Sequence, residues 1–355
     1  MKIKNAVKSF RKSLAKFLFD KREKSNKKPD FENAKSVLFL RDDDKIGDMV
    51  VSTLLFREMK KKYPDKKIYV LCGKNNREII KHNPYVDETA VKTGKFFKDL
   101  RVYNYLNSKK IDVFVDFFPF RPRPLHLYML RKINPEFLIG FNKENYNIYD
   151  FSLNSNYKNI HITKIYSDAL NFLGIANPSL KYDVFLSGDE EKYGMEIREK
   201  FAGKKLVFLN TYAAKKRKNF SLEKTNGLID KILSDKEAQV ILNAAPDIKR
   251  NIRLSERVYI PESKSILYAA ALIKYSDFVI TPDTSIVHIS AAFDKKMIAL
   301  YMDDSGDCEK LNKVWAPNYD KAVQISVDTK NGAAANDINN INNDLIIEKL
   351  TGMLK

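Results

Sequence analysis

The chain has little that could staple it covalently and nothing that would carry it through a membrane. Only two cysteines occur among its 355 residues. Cys72 and Cys308 stand far apart, in neither a metal-ligand nor a redox spacing, which excludes a disulfide framework and points to reduced thiols in a cytosolic protein. No apolar run approaches the roughly 18 residues that a bilayer-spanning helix needs. The basic first residues lack a continuous apolar stretch and a small-residue cleavage site, so a secretory signal is not expected. Carboxylates are the scarcer charge: 45 Asp and Glu against 63 Lys and Arg leave a formal net charge of +18. Such a field gathers anionic partners, whether nucleic acid, acidic lipid headgroups or phosphorylated glycans. Zinc-finger, RRM-type and helix-turn-helix signatures are all missing. A basic nucleic-acid-binding protein is therefore the alternative from another class, one that tight, salt-dependent binding to generic DNA or RNA would reveal. The abundant Lys, Asn and Ile also fit a compositional bias of the source genome, the alternative origin of much of that charge.

What is present is a globular composition, 44% hydrophobic and 12% aromatic, in a chain long enough for two domains. In residues 1–28, Ile3, Val7, Phe10, Leu14 and Phe17-Leu18 recur at helical spacing, while Lys4, Lys8, Arg11, Lys12 and Lys16 lie largely off that stripe. A basic amphipathic helix of this kind suits an anionic membrane surface, or packs on the body with a solvated basic face. Strands then alternate with helices. Val37–Leu40, Lys67–Cys72, Val113–Phe117 and Phe137–Gly140 are expected strands of a first half. Lys205–Leu209, Gln239–Leu242, Phe278–Ile280 and Lys296–Tyr301 are those of a second. The expected organisation is an extension (1–30), an α/β domain (31–187), a second α/β domain (188–330), and a linker with a final helix (331–355). Two doubly wound, Rossmann-like sheets would face each other across a cleft and bind ligands at the carboxyl ends of their strands.

Three strand-end loops carry the polar chemistry. The first, RDDDKIGD, follows Val37–Leu40; Gly47 lets the backbone turn tightly, and Asp48 falls in the first turn of a helix. Asp48 either caps that helix or serves as a general base on the cleft floor. Asp42-x-Asp44 matches a metal-diphosphate pattern, but two carboxylates at that spacing arise easily by chance, and no metal is expected. The second loop, NTYAAKKRKNFS, opens with Asn210 and Thr211 and clusters Lys215, Lys216, Arg217 and Lys218, which cannot all reach one phosphate. The third, TPDTSIVHISAAF, turns at Asp283 and opens a helix at Thr284 or Ser285, whose free N–H groups can hold a phosphate. His288 lies one turn on, as a ligand contact or as a hydrogen-bonded core histidine. A further loop, PFRPRPLHLYMLRK, brings Arg121, Arg123 and His126 to a strand end, where they bind an anion or are simply solvated.

Taken together, these motifs resemble glycosyltransferase family 9, the ADP-heptose:lipopolysaccharide heptosyltransferases. The likeness runs from about Val37 onward. It rests on IGDMVVSTLLFREMKKKYPDKKIYVL, NPYVDE, DVFVDF, LIGF, HITKIYSDALNFLGI, KNFS, PDTSIVHISAAF and the Trp315-Ala316-Pro317 segment. Their order carries more weight than any one of them. The resemblance implies a GT-B architecture and inverting, metal-independent transfer without a cofactor, the ADP-sugar being a substrate. It implies Asp48 as base and Lys218 as the cation on the donor phosphates. Asp283, Thr284, Ser285, His288, Asn210 and Thr211 would line the donor site. Gly47, Arg121, Arg123 and His126 would face an anionic lipopolysaccharide-core acceptor. Ser285 and Asn243-Ala244-Ala245 depart from the glycines frequent in the family, which leaves another nucleotide sugar or glycan acceptor as the alternative. The implied place is cytoplasmic, peripheral on the inner-membrane face through residues 1–28, with no nucleic acid as partner.

Overall fold

The computed structural model describes residues 2–21 (side chains from Phe10), 30–118, 122–154, 160–253, 255–262, 264–303, 311–328 and 336–353. The first half carries strands β1 (Ser36–Arg41), β2 (Lys67–Cys72), β3 (Glu88–Val91), β4 (Val113–Asp116), β5 (Phe137–Phe141) and β6 (Phe151–Leu153). Its helices are α1 (Lys2–Phe19), α2 (Ile46–Lys62), α3 (Phe96–Ser108), α4 (Pro124–Ile133) and α5 (Ile162–Phe172). The second half opens with α6 (Gly188–Lys200) and has strands β7 (Lys205–Asn210), β8 (Ala238–Asn243), β9 (Val258–Tyr259), β10 (Phe278–Pro282), β11 (Lys296–Tyr301) and β12 (Ala322–Ser326). Between and after them lie α7 (Leu222–Ile232), α8 (Pro246–Asn251), α9 (Ile266–Tyr275), α10 (Ser285–Ala292), α11 (Leu311–Val314) and α12 (Asn343–Gly352).

Each half is one six-stranded sheet, in the order β3-β2-β1-β4-β5-β6 and β12-β11-β10-β7-β8-β9, and the paired strands are parallel throughout. The first sheet reads 3-2-1-4-5-6, the doubly wound order, and the second has the same form, with two strands wound to either side of the β10–β7 pair. The reason lies in the strands themselves. SVLFLR is buried along its whole length, with Leu38 level with Tyr69 on one side and Phe114 on the other. An unbroken apolar run suits a strand covered by helices on both faces and not one with a wet side. The largest hydrophobic cluster is continuous from one half to the other: Val50, Leu54 and Tyr166 of the first half share it with Ile286, Val287 and Ile289 of α10. Helices α2 and α10 pack directly on each other, so the middle layer of the molecule belongs to both halves.

Candidate active site

In a doubly wound sheet the crevice opens where the strand order reverses. Here that is between β1 and β4 in the first sheet and between β10 and β7 in the second. The loops after these four strands are the polar segments singled out in the sequence. Helix α2 starts five residues beyond β1, with no side-chain cap at Lys45 and Asp48 in its first turn, beside the positive end of the helix dipole.

Asp48 sits in an enclosed, charged corner. Its side chain is 15% exposed, and Oδ2 lies 3.3 Å from Arg41 Nη2 and 3.7 Å from Lys45 Nζ. Burial raises the carboxyl pKa; Arg41 pulls it back, Asp43 pushes it up, and the balance stands at about 7. Arg41, which the sequence pattern places in the loop, is instead the last residue of β1. It is buried, and its guanidinium lies 5.8 Å from the Phe118 ring. Burial works against its charge, but Tyr166 and the carboxylates of Asp43, Asp48 and Asp42 outweigh that, so its pKa is raised. Neither Nε nor Nη2 of Arg41 makes a regular hydrogen bond among the described residues.

The three neighbouring aspartates separate completely. Asp42 pairs with Lys92. Asp43 lies 4.0 Å from Arg41 and accepts a long bond from Asn76 Nδ2. Asp44, held at a positive φ of 60°, accepts from the backbone N–H and the amide of Asn75, both at 2.6 Å. Gly73 makes that approach possible, because a Cβ there would lie 2.4 Å from Asp44 Oδ1. The acidic run is thus a strap: Asp42 is tied to Lys92, while Asp43 and Asp44 both hold the Asn75-Asn76 turn.

Across the crevice a buried amide organises the loops of the second half. Asn210, 1% exposed at the end of β7, donates to Thr281 Oγ1 at 2.9 Å and Thr284 Oγ1 at 3.3 Å, and accepts from Asn243 Nδ2 at 2.9 Å. Thr284 in turn caps α10 by accepting from Ile286 N. Asn210 therefore reaches the site through Thr284. Thr211 is equally buried, and its hydroxyl has no partner among the described residues. Of the basic cluster, Lys215, Lys216 and Arg217 are exposed; Lys218 alone turns inward, where it pairs with Asp283.

His288 is 4% exposed, and its Nδ1 has no hydrogen-bond partner among the described residues. Tyr182 and Trp315 flank the ring at 6.0 and 5.9 Å, edge-on. Burial, with a smaller contribution from His161, depresses its pKa to about 3, so the ring is neutral. Gly47 needs no positive φ; its role differs from the tight turn read in the sequence. A Cβ at Gly47 would meet His288 Cδ2 at 3.0 Å and Ser285 Cα at 3.4 Å. The missing side chain is what lets α2 and α10 touch, one residue before Asp48.

On the other flank, Arg121 lies outside the described residues. Arg123 is the residue just before α4. His126 faces inward: its Nε2 lies 2.9 Å from Asp116, a fully buried carboxylate at the end of β4 that also accepts from Tyr149 OH at 2.6 Å. Burial would raise the Asp116 pKa, but His126, Lys143 and Tyr149 outweigh it and hold it below its usual value. Lys143, 1% exposed, donates to the carbonyls of Phe118 and Phe141. This network ties Phe118, just after β4, and His126 of α4 to the buried end of β4 and to β5. Sequence reading missed Arg41, Asp116 and Tyr149. The one available signal was a charge closing each apolar strand, in VLFLR and VFVD.

Two cavities adjoin the second sheet. One of about 200 Å³ lies by the carboxyl end of β8 and the amino end of α9, lined by Asn243, Pro261, Glu262, Ser265, Ile266 and Tyr268 among others. The larger, about 520 Å³, is at the opposite edge of the sheet. Its carboxylates Asp277 and Asp294 are already paired with Arg198 and Lys321, and it is remote from the crevice, so the smaller one is the relevant space.

Two such sheets, joined switch point to switch point, make a GT-B architecture. The comparisons with known proteins go further. The family model for glycosyltransferase family 9 (heptosyltransferase) matches residues 130–342, and a family of unknown function, DUF6913, matches residues 7–175. A protein of Escherichia coli (strain K12) provisionally named lipopolysaccharide heptosyltransferase 4 is 28% identical over 318 residues, 87% of this chain and 86% of its own length. In fold, the chain is similar to a glycosyl transferase family 9 protein from Veillonella parvula DSM 2008, with a TM-score of 0.76, 15% identity, and coverage of 93% of this chain and 99% of that one. It is also similar to the E. coli ADP-heptose lps heptosyltransferase II, with a TM-score of 0.69, 16% identity, and coverage of 90% and 98%. E. coli heptosyltransferase WaaC with ADP-2-deoxy-2-fluoro heptose follows at 0.67, 14% identity, and coverage of 89% and 99%. The chain belongs to glycosyltransferase family 9 and is an enzyme of that class.

Proposed function

We propose that this enzyme moves heptose from ADP-heptose to the inner core of lipopolysaccharide or lipooligosaccharide, with inversion and without a metal, at the cytoplasmic face of the inner membrane. The relative's name and those of the structural neighbours support the donor and acceptor classes. The observation that carries the chemistry is the enclosed Asp48 carboxylate, 3.3 Å from Arg41 and one residue beyond the Gly47–His288 contact between the two halves. A carboxylate with a pKa of about 7 is matched to a general base at neutral pH.

In this reading Asp48 takes the proton of the acceptor hydroxyl as that oxygen bonds to the anomeric carbon. The bond from that carbon to the diphosphate breaks on the opposite face, and ADP leaves with the electron pair. Lys218, moving from Asp283 to the phosphates, and the first N–H groups of α10 meet the developing negative charge. The nucleoside occupies the 200 Å³ cavity by α9. Holding both sugars in line contributes up to roughly 7–11 kcal/mol of the barrier reduction. Arg123 faces the acceptor from the other flank, beside the start of α4 that His126 anchors to Asp116, and residues 1–28 meet the membrane.

Purified protein given ADP-heptose and a core acceptor lacking heptose should form the glycosidic product, and should do so in the presence of a chelator. Turnover of another nucleotide sugar in its place would shift the reading to the alternative donor. Turnover lost to the chelator would restore the metal. Asp48→Asn should abolish transfer while leaving ADP affinity within a few-fold.

A further inference from the structure

Three helices lie side by side over one face of the first sheet, with α4 between α1 and α3. Helix α1 is fastened by a narrow strip. Ala15 is buried, Phe19 meets the Tyr128 ring edge-on at 5.3 Å, and the buried Asp20 accepts from Ile148 N at 2.8 Å. Yet Phe10, Leu14, Phe17 and Leu18 are 68%, 43%, 65% and 51% exposed. At about 100° per residue, these four span an arc of about 100°, and its centre lies about 130° from the Ala15–Phe19 strip. The apolar stripe is not what holds the helix to the body.

The exposed apolar surface does not end with α1. Phe96 and Phe97 at the start of α3 are 50% and 79% exposed, and Leu125 at the start of α4 is 66% exposed. Phe96 stacks on Tyr128 at 5.9 Å, and Tyr128 is the ring that Phe19 also contacts. One aromatic chain therefore links the three helices. The exposed charge that the three helices themselves carry has a single sign. Helices α1 and α4 contain no carboxylate, and the one in α3, Asp99, is buried and accepts from Thr93. Lys12, Lys21, Lys95 and Lys98 are exposed.

We infer that α1 and the amino ends of α3 and α4 form one docking face for an anionic bilayer. Aromatic and leucine side chains enter the headgroup boundary while the surrounding lysines neutralise the lipids. This goes beyond the membrane role proposed for residues 1–28, because it recruits the globular body. It also orients the enzyme: α3 and α4 begin where β3 and β4 end, on the same edge as the amino end of α2. The bilayer then lies beside the rim of the crevice through which a lipid-anchored acceptor enters, the one element here that rests on the acceptor class proposed above.

The test needs neither donor nor acceptor, so its failure is distinct from a failure of the enzymatic reading. Full-length protein is co-sedimented with vesicles of phosphatidylcholine alone or mixed with phosphatidylglycerol. Binding to the mixed vesicles, weakened by salt, is expected, and Phe97→Ser combined with Leu125→Ser should weaken it on the order of tenfold or more. Both side chains are exposed, so unchanged thermal unfolding checks that the fold is kept. In Phe97→Trp, the added indole emission should shift to the blue when mixed vesicles are supplied. Absence of binding to mixed vesicles, an unaltered affinity in the double variant, or an unshifted emission in Phe97→Trp would each overturn the inference.

Discussion

Arg41 offers the sharpest test of the catalytic corner, because its effect on Asp48 is directional. Replacing it with methionine keeps most of its bulk but removes a positive charge 3.3 Å from Asp48 Oδ2. An opposite charge at such range lowers a carboxyl pKa by roughly 1–3 units. Its loss should therefore lift Asp48 from about 7 to roughly 8–10. At pH 7.5 a base with a pKa of about 7 is roughly three-quarters ionised, and one with a pKa of about 9 only about 3%. Transfer measured as kcat/KM at pH 7.5 should then fall roughly 25-fold, with a range of about 3- to 250-fold across those shifts. The loss should be recovered as pH rises, because deprotonation still yields a competent base. The acid limb of the pH profile, followed between about pH 6 and 10, should move to higher pH with its plateau retained. Arg41→Lys should lie between the two. A profile that keeps its midpoint and loses only height would refute the argument and assign Arg41 to acceptor binding instead.

Gly47→Ala should push α2 from α10, because the added methyl would sit 3.0 Å from His288 Cδ2; denaturant unfolding should show a cost of about 1–3 kcal/mol, partly relieved when His288→Ala is added. Additive costs in that double-mutant cycle would contradict the contact. His288, with its folded pKa depressed from 6.5 to about 3, favours the folded state fully above 6.5, and that contribution drains away as pH falls toward 3. Stability should drop by about 2 kcal/mol between pH 7.5 and 5 from this group alone, and the drop should shrink by that amount in His288→Gln. Lys218→Ala should lower kcat by about 10²-fold or more with little effect on unfolding, whereas an unchanged kcat would remove Lys218 from the leaving-group site.

Much of the fold was legible because its central strands are uninterrupted apolar runs closed by polar loops. Lys67–Cys72 and Lys296–Tyr301 have the limits read from the sequence. What escaped notice was weakly patterned. Strand β3 (ETAV) buries only Ala90 fully, and β6 has no fully buried residue, so neither shows a period. Helix α6 is mostly polar, but its capping box of Ser187 and Glu190 was present in the sequence as a start signal. In the site, the loops were visible and their wiring was not. Nothing in the spacing of Asp42, Asp43 and Asp44 distinguishes a metal pair from three separate tethers to Lys92, Arg41 and Asn75. Arg41 looked like loop because a buried cation at a strand end has the local sequence of an exposed one. Gly47 looked like a turn because the residue it makes room for, His288, belongs to the other half of the chain.

The closeness of α2 to α10 has one more consequence, for fidelity. An activated sugar is always open to hydrolysis, and a base strong enough to deprotonate a sugar hydroxyl will also deprotonate water. The Asp48 side chain is only 15% exposed, flanked by Arg41 and Lys45, and the residue before it, Gly47, is pressed close enough to α10 to crowd even a methyl group. Bulk water therefore has little access to the carboxylate, while a hydroxyl anchored by the rest of its sugar is delivered to it. In the proposed reading, the enclosure of Asp48 at the amino end of α2 is what favours transfer over hydrolysis.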